Sequence, residues 1–383
     1  MTDKTLRILQ VVSGMNRGGV ETWLMTVFRH LDRKRFHMDF LVHTKQECAY
    51  DAEIRQMGSR VIPCLHPSKP WQYTLHFRKI VQQYGPYDVI HSHVYWFSGY
   101  IMCLSAHMGI PKRLVHVYPQ QDASRGKAMR DVYRHLMGYL ISRYATSILA
   151  CSQSSLSAFG EKVDLSRLPH SVIYPIVDLS PYMRPIDRAT VREQYGLPQE
   201  LPLILYVARF FPHKNHRGLL TIAQQVNDRE TIAHFVLAGA HGPTVSELQF
   251  ASKTRSDISV LVDVPEISEL MKSCDLFVFP SLDEGFGIVA IEAQAAGLPV
   301  IATDLDSVRE ALAPALQPLM FRPHELSKAA SHIKMLLLDR SRMKQLGQEA
   351  RAWVISKFSA QDSITKLLNF YTTDPQNLII EEN

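Results

Sequence analysis

Pro280-Ser281-Leu282-Asp283-Glu284-Gly285-Phe286-Gly287-Ile288-Val289-Ala290-Ile291-Glu292-Ala293, running on to Gly297-Leu298-Pro299-Val300-Ile301, is the stretch that decides the fold. Ahead of it, Asp275-Leu276-Phe277-Val278-Phe279 is a short apolar run closed by Pro-Ser, which reads as a buried parallel strand feeding a loop. Ile288 to Ala296 has helical spacing, Gly297-Leu298-Pro299 stops it, and Val300-Ile301-Ala302 opens another strand, so the whole is a βαβ unit. Glu284 stands at the loop–helix junction and Glu292 two turns into the helix, which puts them ~80° apart around the axis and able to face one site. Gly285 and Gly287 leave bare backbone beside the helix start, where unpaired N–H groups and the positive dipole end suit an anion. Two glutamates eight positions apart are also what a solvated, capped helix carries. Gly-Phe-Gly between the acids, after a strand ending in Pro-Ser, is the more specific feature.

Working outward, 383 residues with 46% hydrophobic content suffice for two domains, each with its own core. No run approaches ~20 uncharged apolar residues, so no transmembrane helix is expected. The start, Met1-Thr2-Asp3-Lys4-Thr5, lacks the apolar segment of a signal peptide, and the expected location is cytoplasmic, at the inner face of the membrane. Five scattered cysteines without a Cys-x-x-Cys pair argue against a disulfide framework or structural zinc. The net charge of +5 conceals an asymmetry: residues 1–180 carry about +9 and the remainder about −4. Arg33-Lys34-Arg35, Lys112-Arg113 and the segment Arg125 to Arg143 supply most of the excess. It is either a solvated face or a surface for an anionic membrane or phosphorylated acceptor; no recognition-helix or basic-aromatic platform points to nucleic acid.

At the N-terminus, Leu6 to Val12 is a strand, followed by Ser13-Gly14-Met15-Asn16-Arg17-Gly18-Gly19-Val20-Glu21-Thr22 and a helix through Leu31. Strand, glycine loop and helix can cradle phosphate, but the spacing is not the dinucleotide Gly-x-Gly-x-x-Gly. Further strands are expected at His37 to His43, Arg60 to Pro63, Asp88 to His93, Arg113 to Tyr118, Ser147 to Ser152 and His170 to Asp178, with helices at Gln72 to Tyr84, Gly126 to Tyr144 and from Ser154. His91 and His93 share a strand face with no third metal ligand evident from the sequence, which favours a structural or acceptor-lining pair over a metal site. In the second half, Leu201 to Tyr206 is a strand, and Arg209 and Lys214 follow it over the sheet's C-terminal edge. Two cations five positions apart, Arg as a fork and Lys as a point charge, suit a diphosphate. Strands at Ala233 to Ala240 and Ser259 to Pro265 follow, then helices at Glu266 to Ser273, Glu325 to Leu338, Arg340 to Phe358 and Asp362 to Tyr371. Asp304-Leu305-Asp306 reads as turn chemistry rather than a metal site.

Glu284-Gly285-Phe286-Gly287-x4-Glu292 resembles the donor-site signature of the retaining GT-B glycosyltransferases, family 4 in particular. Arg17-Gly18-Gly19-x-Glu21 is similar to that family's N-terminal loop, and Arg209 with Lys214 to its diphosphate-binding pair. The resemblance implies an α/β fold of two Rossmann-like domains facing across a cleft: an acceptor domain at 1–180, a nucleotide-sugar domain at 181–360, and a helix at 361–383 crossing back to the first. It further implies that Glu284 holds hydroxyls of the donor sugar, Glu292 the ribose, and the amides of Gly285, Phe286 and Gly287 the diphosphate and sugar. Gly18 and Gly19 would close over the diphosphate, Val264 would seat the base, and His116 would stand beside the anomeric centre. Two departures are visible: His116-Val117-Tyr118-Pro119 replaces the usual His-Asp or His-Ser, and Pro175-Ile176 replaces the usual Asn-Gly at the domain exit. The implied activity is metal-independent transfer, with retention, of a hexosyl or N-acetylhexosaminyl group from a UDP- rather than GDP-sugar to a glycan or lipid-linked precursor of a surface polysaccharide, without other cofactor. The alternatives are a non-catalytic sugar-nucleotide-binding scaffold and a nucleotide-sugar epimerase of the same architecture.

Overall fold

The computed structural model describes residues 5–65, 68–118, 127–358 and 360–378. The chain forms two compact units, one of residues Met1–Ile176 with Ala360–Asn383 and one of Val177–Ser359.

The first unit is a seven-stranded parallel sheet. Its strands are β1 (Leu6–Val12), β2 (Phe36–Val42), β3 (Val61–Pro63), β4 (Val89–Ser92), β5 (Lys112–Val117), β6 (Ser147–Ala150) and β7 (His170–Val172), in the order β3-β2-β1-β4-β5-β6-β7. The helices are α1 (Gly19–His30), α2 (Asp51–Gln56), α3 (Pro70–Tyr84), α4 (Ser98–His107), α5 (Lys127–Tyr144) and α6 (Gln153–Gly160). Side chains alternate along a strand, so each face of the sheet gathers its own apolar layer. One layer joins Leu9, Val11, Ile90 and Val115 to Tyr73 and Phe77 of α3, Ile101 of α4, Ile141 of α5 and Phe159 of α6. The other joins Ile8, Phe40, Val89 and Leu114 to Leu24 and Phe28 of α1 and to Leu367 and Tyr371 of the chain's last long helix.

The expected strand from His170 to Asp178 is shorter than predicted. It ends at Val172 because its one neighbour, β6, ends at Ala150, whose carbonyl accepts the last ladder bond from Ile173 N (2.8 Å). Pro175 could donate nothing further. Of the basic helix, Arg125 and Gly126 lie outside the described residues, as does Pro119.

The second unit opens with α7 (Ser180–Met183) and α8 (Arg188–Gln194), then alternates β8 (Leu203–Val207), α9 (His216–Val226), β9 (His234–Gly239), α10 (Val245–Thr254), β10 (Ile258–Val262), α11 (Ile267–Ser273), β11 (Leu276–Phe279), α12 (Ile288–Ala295), β12 (Val300–Ala302) and α13 (Asp306–Ala311). Its parallel sheet has the order β10-β9-β8-β11-β12, and α14 (Leu326–Leu338) and α15 (Arg340–Lys357) complete the unit. The last helix, α16 (Ala360–Thr372), belongs to the first unit. No disulfide joins the five cysteines. Among the described residues no helix is long and apolar enough to cross a membrane.

Candidate active site

In each sheet, strand order reverses once, between β1 and β4 and between β8 and β11. At such a reversal the loops leaving neighbouring strands diverge and open a crevice at the C-terminal edge, where ligands of open α/β sheets bind. Gly18 and Gly19 follow β1, Arg209 and Lys214 follow β8 and Glu284 follows β11, at these two places, whereas His116 lies on β5 and Val264 follows β10.

In the second unit, β8 runs into Arg209 and a short 3-10 turn, Pro212–Lys214. Asn215 then adopts a left-handed conformation (φ 54°), which asparagine tolerates because its side chain bonds locally. Its Oδ1 accepts from Gly218 N (3.2 Å) to cap α9, and its Nδ2 donates to Pro280 O (3.1 Å). The Tyr206 hydroxyl donates to Lys214 O (2.8 Å) and lies 3.0 Å from Ser281 Oγ. These bonds lock the loop after β8 to the loop after β11. Lys214 Nζ thereby lies 2.6 Å from Glu284 Oε2, an ion pair with side chains only 14% and 16% exposed. Arg209 lies over the Phe211 ring, its guanidinium carbon 5.3 Å from the centroid. A loop that carries an arginine and a lysine, the lysine paired with a carboxylate in the loop ahead of a helix, can grip a group bearing both hydroxyls and phosphates.

The two glutamates are not related by helical phase as expected. The helix begins at Ile288, after Gly287 at φ 84°, so Glu284 lies in the preceding loop and its position is set by that glycine turn. Ser307 Oγ donates to Glu284 O (2.7 Å) and fixes the loop from the other side. Glu292 is in the second turn of α12, bonded by the Tyr182 hydroxyl of α7. Burial raises its carboxyl to about 7, against the lowering effect of that hydrogen bond. Phe286 is buried, edge-on to Phe358, so its side chain anchors the loop and only its backbone is available to a ligand. Val264 follows β10 in coil, just after Asp263 at φ 53°, and is half-buried. Asp304 pairs with Arg309 and Asp306 opens α13, the turn chemistry expected of them.

In the first unit, Gly18 caps α1 and Gly19 is its first residue. A Cβ on Gly18 would fall 2.3 Å from Glu21 Oε2, whereas Gly19 has open space. His116, near the end of β5, is buried, and neither ring nitrogen has a partner. It meets Trp23 edge-on at 4.9 Å and stacks on Tyr118 at 4.6 Å. Burial pushes its imidazole down to about 3, so it is neutral at ordinary pH.

The reading that His91 and His93 lack a third ligand is corrected by the structure. The register of β4 and β5 brings His116 to them, and one ligand atom from each of the three imidazoles falls within 4.8 Å of the others. Sequence spacing could not show this, because the third histidine arrives through strand pairing. A network sets the tautomers of the pair: Gln10 Nε2 donates to the Tyr371 hydroxyl (2.9 Å), which therefore donates to His91 Nδ1 (2.7 Å). Gln10 Oε1 accepts from His93 Nε2 (2.8 Å), leaving His93 Nδ1 to accept from Tyr118 (3.0 Å). His91 Nε2, which carries the proton in this tautomer, and both His116 nitrogens remain for a hydroxyl-bearing ligand, while both nitrogens of His93 are taken within the network and leave no lone pair there for a metal. The sequence reading missed Gln10, Trp23, Tyr182, Tyr206 and Tyr371; each is an ordinary core residue in one dimension and acquires its role by tertiary contact.

Comparison with known proteins bears on the family and the fold. Residues 17–181 match the family model Glycosyltransferase Family 4, and residues 187–353 match Glycosyl transferases group 1. EpsF of Bacillus subtilis (strain 168), named as a glycosyltransferase, is 32% identical over 79% of this chain and 80% of its own. A D-inositol 3-phosphate glycosyltransferase of Nocardia farcinica (strain IFM 10152) is 28% identical over 85% of this chain and 71% of its own. Among solved structures, Anabaena Alr3699/HepE in complex with UDP superposes with a TM-score of 0.81 at 20% identity, over 95% of this chain and 99% of that one. WaaG, a glycosyltransferase involved in lipopolysaccharide biosynthesis, does so with a TM-score of 0.69 at 15% identity, over 95% and 99%. With its two parallel α/β units matching GT-B structures, the chain belongs to the family 4, group 1 glycosyltransferases.

Proposed function

We propose that this glycosyltransferase moves a hexosyl or N-acetylhexosaminyl group from a UDP-sugar, with retained anomeric configuration and without a metal, to a glycan or lipid-linked acceptor of surface-polysaccharide or glycoconjugate synthesis. The observation that carries the reading is the Lys214–Glu284 pair, which unites the cationic motif after β8 with the acidic motif after β11 at the point of strand reversal. UDP is favoured by the likeness to Alr3699/HepE, solved with UDP and with UDP-glucose.

In this mechanism the bond between the anomeric carbon and the β-phosphate oxygen breaks, and the acceptor oxygen bonds that carbon on the same face. The acceptor proton passes to the departing phosphate oxygen. Negative charge grows on the leaving diphosphate, where Arg209, Lys214 and the loop amides from Gly285 to Gly287 stabilise it. Glu284 orients the sugar hydroxyls, Glu292 holds the ribose and Val264 seats the base. On the acceptor side, neutral His116 offers a ring nitrogen to a hydroxyl without competing as a cation for the diphosphate.

The test is release of nucleoside diphosphate from UDP-, GDP- and ADP-sugars, each with and without EDTA, alongside thermal shift. Stabilisation and acceptor-dependent turnover with a UDP-sugar in EDTA is the expected result. Conversion of the sugar without acceptor would replace the reading by an epimerase. Stabilisation without turnover across a broad acceptor panel would replace it by a sugar-nucleotide-binding scaffold, and failure of every donor to bind would overturn the donor site.

A further inference from the structure

We infer that the outer face of α3 and α5 in the first unit docks on an anionic lipid bilayer. All six strongly exposed large apolar side chains described in that unit lie on these two helices: Trp71 (77%) and Leu75 on α3, and Val132 (69%), Tyr133, Leu136 and Tyr139 (64%) on α5. Chance scatter of surface hydrophobes would not confine them to two of seven helices.

Helical spacing makes each set a stripe. Trp71 and Leu75 are one turn apart, and the next turn brings Arg78 and Lys79, both exposed. Val132, Leu136 and Tyr139 follow the same rule, and their line ends at exposed Arg143. Both stripes thus run from apolar to cationic along the helix. The helices share one layer of the sheet: α3 is tied to α4 by Thr74 Oγ1 and the Tyr100 hydroxyl (2.6 Å), and the buried faces of α3, α4 and α5 enter the same apolar cluster. With neighbouring helix axes ~10 Å apart, α4 separates the two stripes by no more than about two helix widths.

The chemistry of the occupant follows from the charge. Among residues of α3 and α5 with described side chains there are five cations, Arg78, Lys79, Arg130, Arg134 and Arg143, against one acid, Asp131. A protein partner of ordinary composition does not require this excess, whereas an anionic leaflet attracts the cations and accepts Trp and Tyr at its interface. In a parallel α/β sheet each crossover helix begins at the C-terminal edge of the strands, so Trp71 and the start of α5 lie toward the edge that holds His93 and His116. A docked unit would meet membrane-bound molecules on that side.

The experiment uses the full chain and reads no turnover, so it stands or falls apart from the donor and acceptor assignments. Vesicles of phosphatidylcholine with about one-third phosphatidylglycerol should co-sediment the protein, pure phosphatidylcholine vesicles should not, and binding should fall at least ~10-fold between 50 and 500 mM salt. Trp71→Ser/Leu136→Ser/Tyr139→Ser should lose at least ~10-fold in vesicle affinity with an unchanged unfolding transition, as should Arg78→Glu/Lys79→Glu/Arg143→Glu. Brominated lipid should quench wild-type fluorescence and lose that effect in Trp71→Phe. Absence of vesicle binding, or binding unaltered in both triple variants, overturns the proposal. So does a wild-type dimer that the apolar triple variant makes monomeric, which would assign the face to a second copy of the chain.

Discussion

Replacing Lys214 by alanine separates its two roles. In the unliganded protein its ammonium neutralises Glu284 at 2.6 Å, in surroundings that leave the two side chains 14% and 16% exposed. Two unit charges 4 Å apart attract by about 4 kcal/mol at an effective dielectric of 20, and desolvation cancels much of this. Removing one partner of a fully buried pair costs about 3–5 kcal/mol, and an exposed pair is worth at most about 1. With water able to reach Glu284, Lys214→Ala should destabilise the second unit by about 1–2 kcal/mol. Glu284→Gln added to it removes the orphaned charge and should recover most of that loss. Catalysis behaves differently if Lys214 also meets the developing phosphate charge: loss of such a group typically removes about 10²–10³ from kcat, and the second substitution restores none of it. The assay is a double-mutant cycle with urea unfolding and nucleotide release measured on all four proteins. A kcat within ~5-fold of wild type in Lys214→Ala, or recovery of activity together with stability in the double variant, would show that the lysine serves only to hold Glu284.

Burial raises the Glu292 carboxyl from 4.5 to about 7, so the folded state binds the extra proton between those values. That contribution to stability is present below pH 4.5 and is lost as pH rises to 7, by at most about 3 kcal/mol, and the difference between wild type and Glu292→Gln in unfolding at pH 5 and pH 8 should show it. Because the Tyr182 bond lowers that carboxyl, Tyr182→Phe should move the pH profile of donor KM to higher pH; an unmoved profile would exclude Glu292 from the titration. Gly239→Ala would place a Cβ 1.8 Å from Ala208 O, a backbone clash beside Arg209, and should cost at least about 2 kcal/mol by thermal unfolding. Gly18→Ala meets only the movable end of Glu21 and should cost less than about 1 kcal/mol, so comparable losses in the two variants would contradict the packing. His116→Gln should lower kcat by at least ~10² while leaving UDP-induced thermal stabilisation intact, and a wild-type rate would remove it from the site.

The fold class and most of its elements were legible in one dimension because parallel strands are continuous apolar runs and their loops carry glycine and proline punctuation. β1 coincides with the predicted Leu6–Val12, and α12 stops at the Gly297 turn as read. Short helices such as α2 and α4 were passed over; α4 is apolar on nearly every side and has little helical periodicity to detect. Arg209, Lys214, Glu284 and Glu292 could be singled out as candidates because each pair lies within one short stretch of chain, and such stretches are local in sequence. What only the tertiary structure decided were relations between loops. Glu284 meets Lys214 because β8 and β11 are adjacent in the sheet, and His116 joins His91 and His93 because β4 pairs with β5. Tyr371 reaches that histidine network from 280 residues downstream of His91 because α16 packs on the first sheet. Hydrophobic pattern and turn chemistry act over a few residues, so they write the elements into the sequence. Strand order and register act across the whole chain, and they determine which of those elements bring their side chains together.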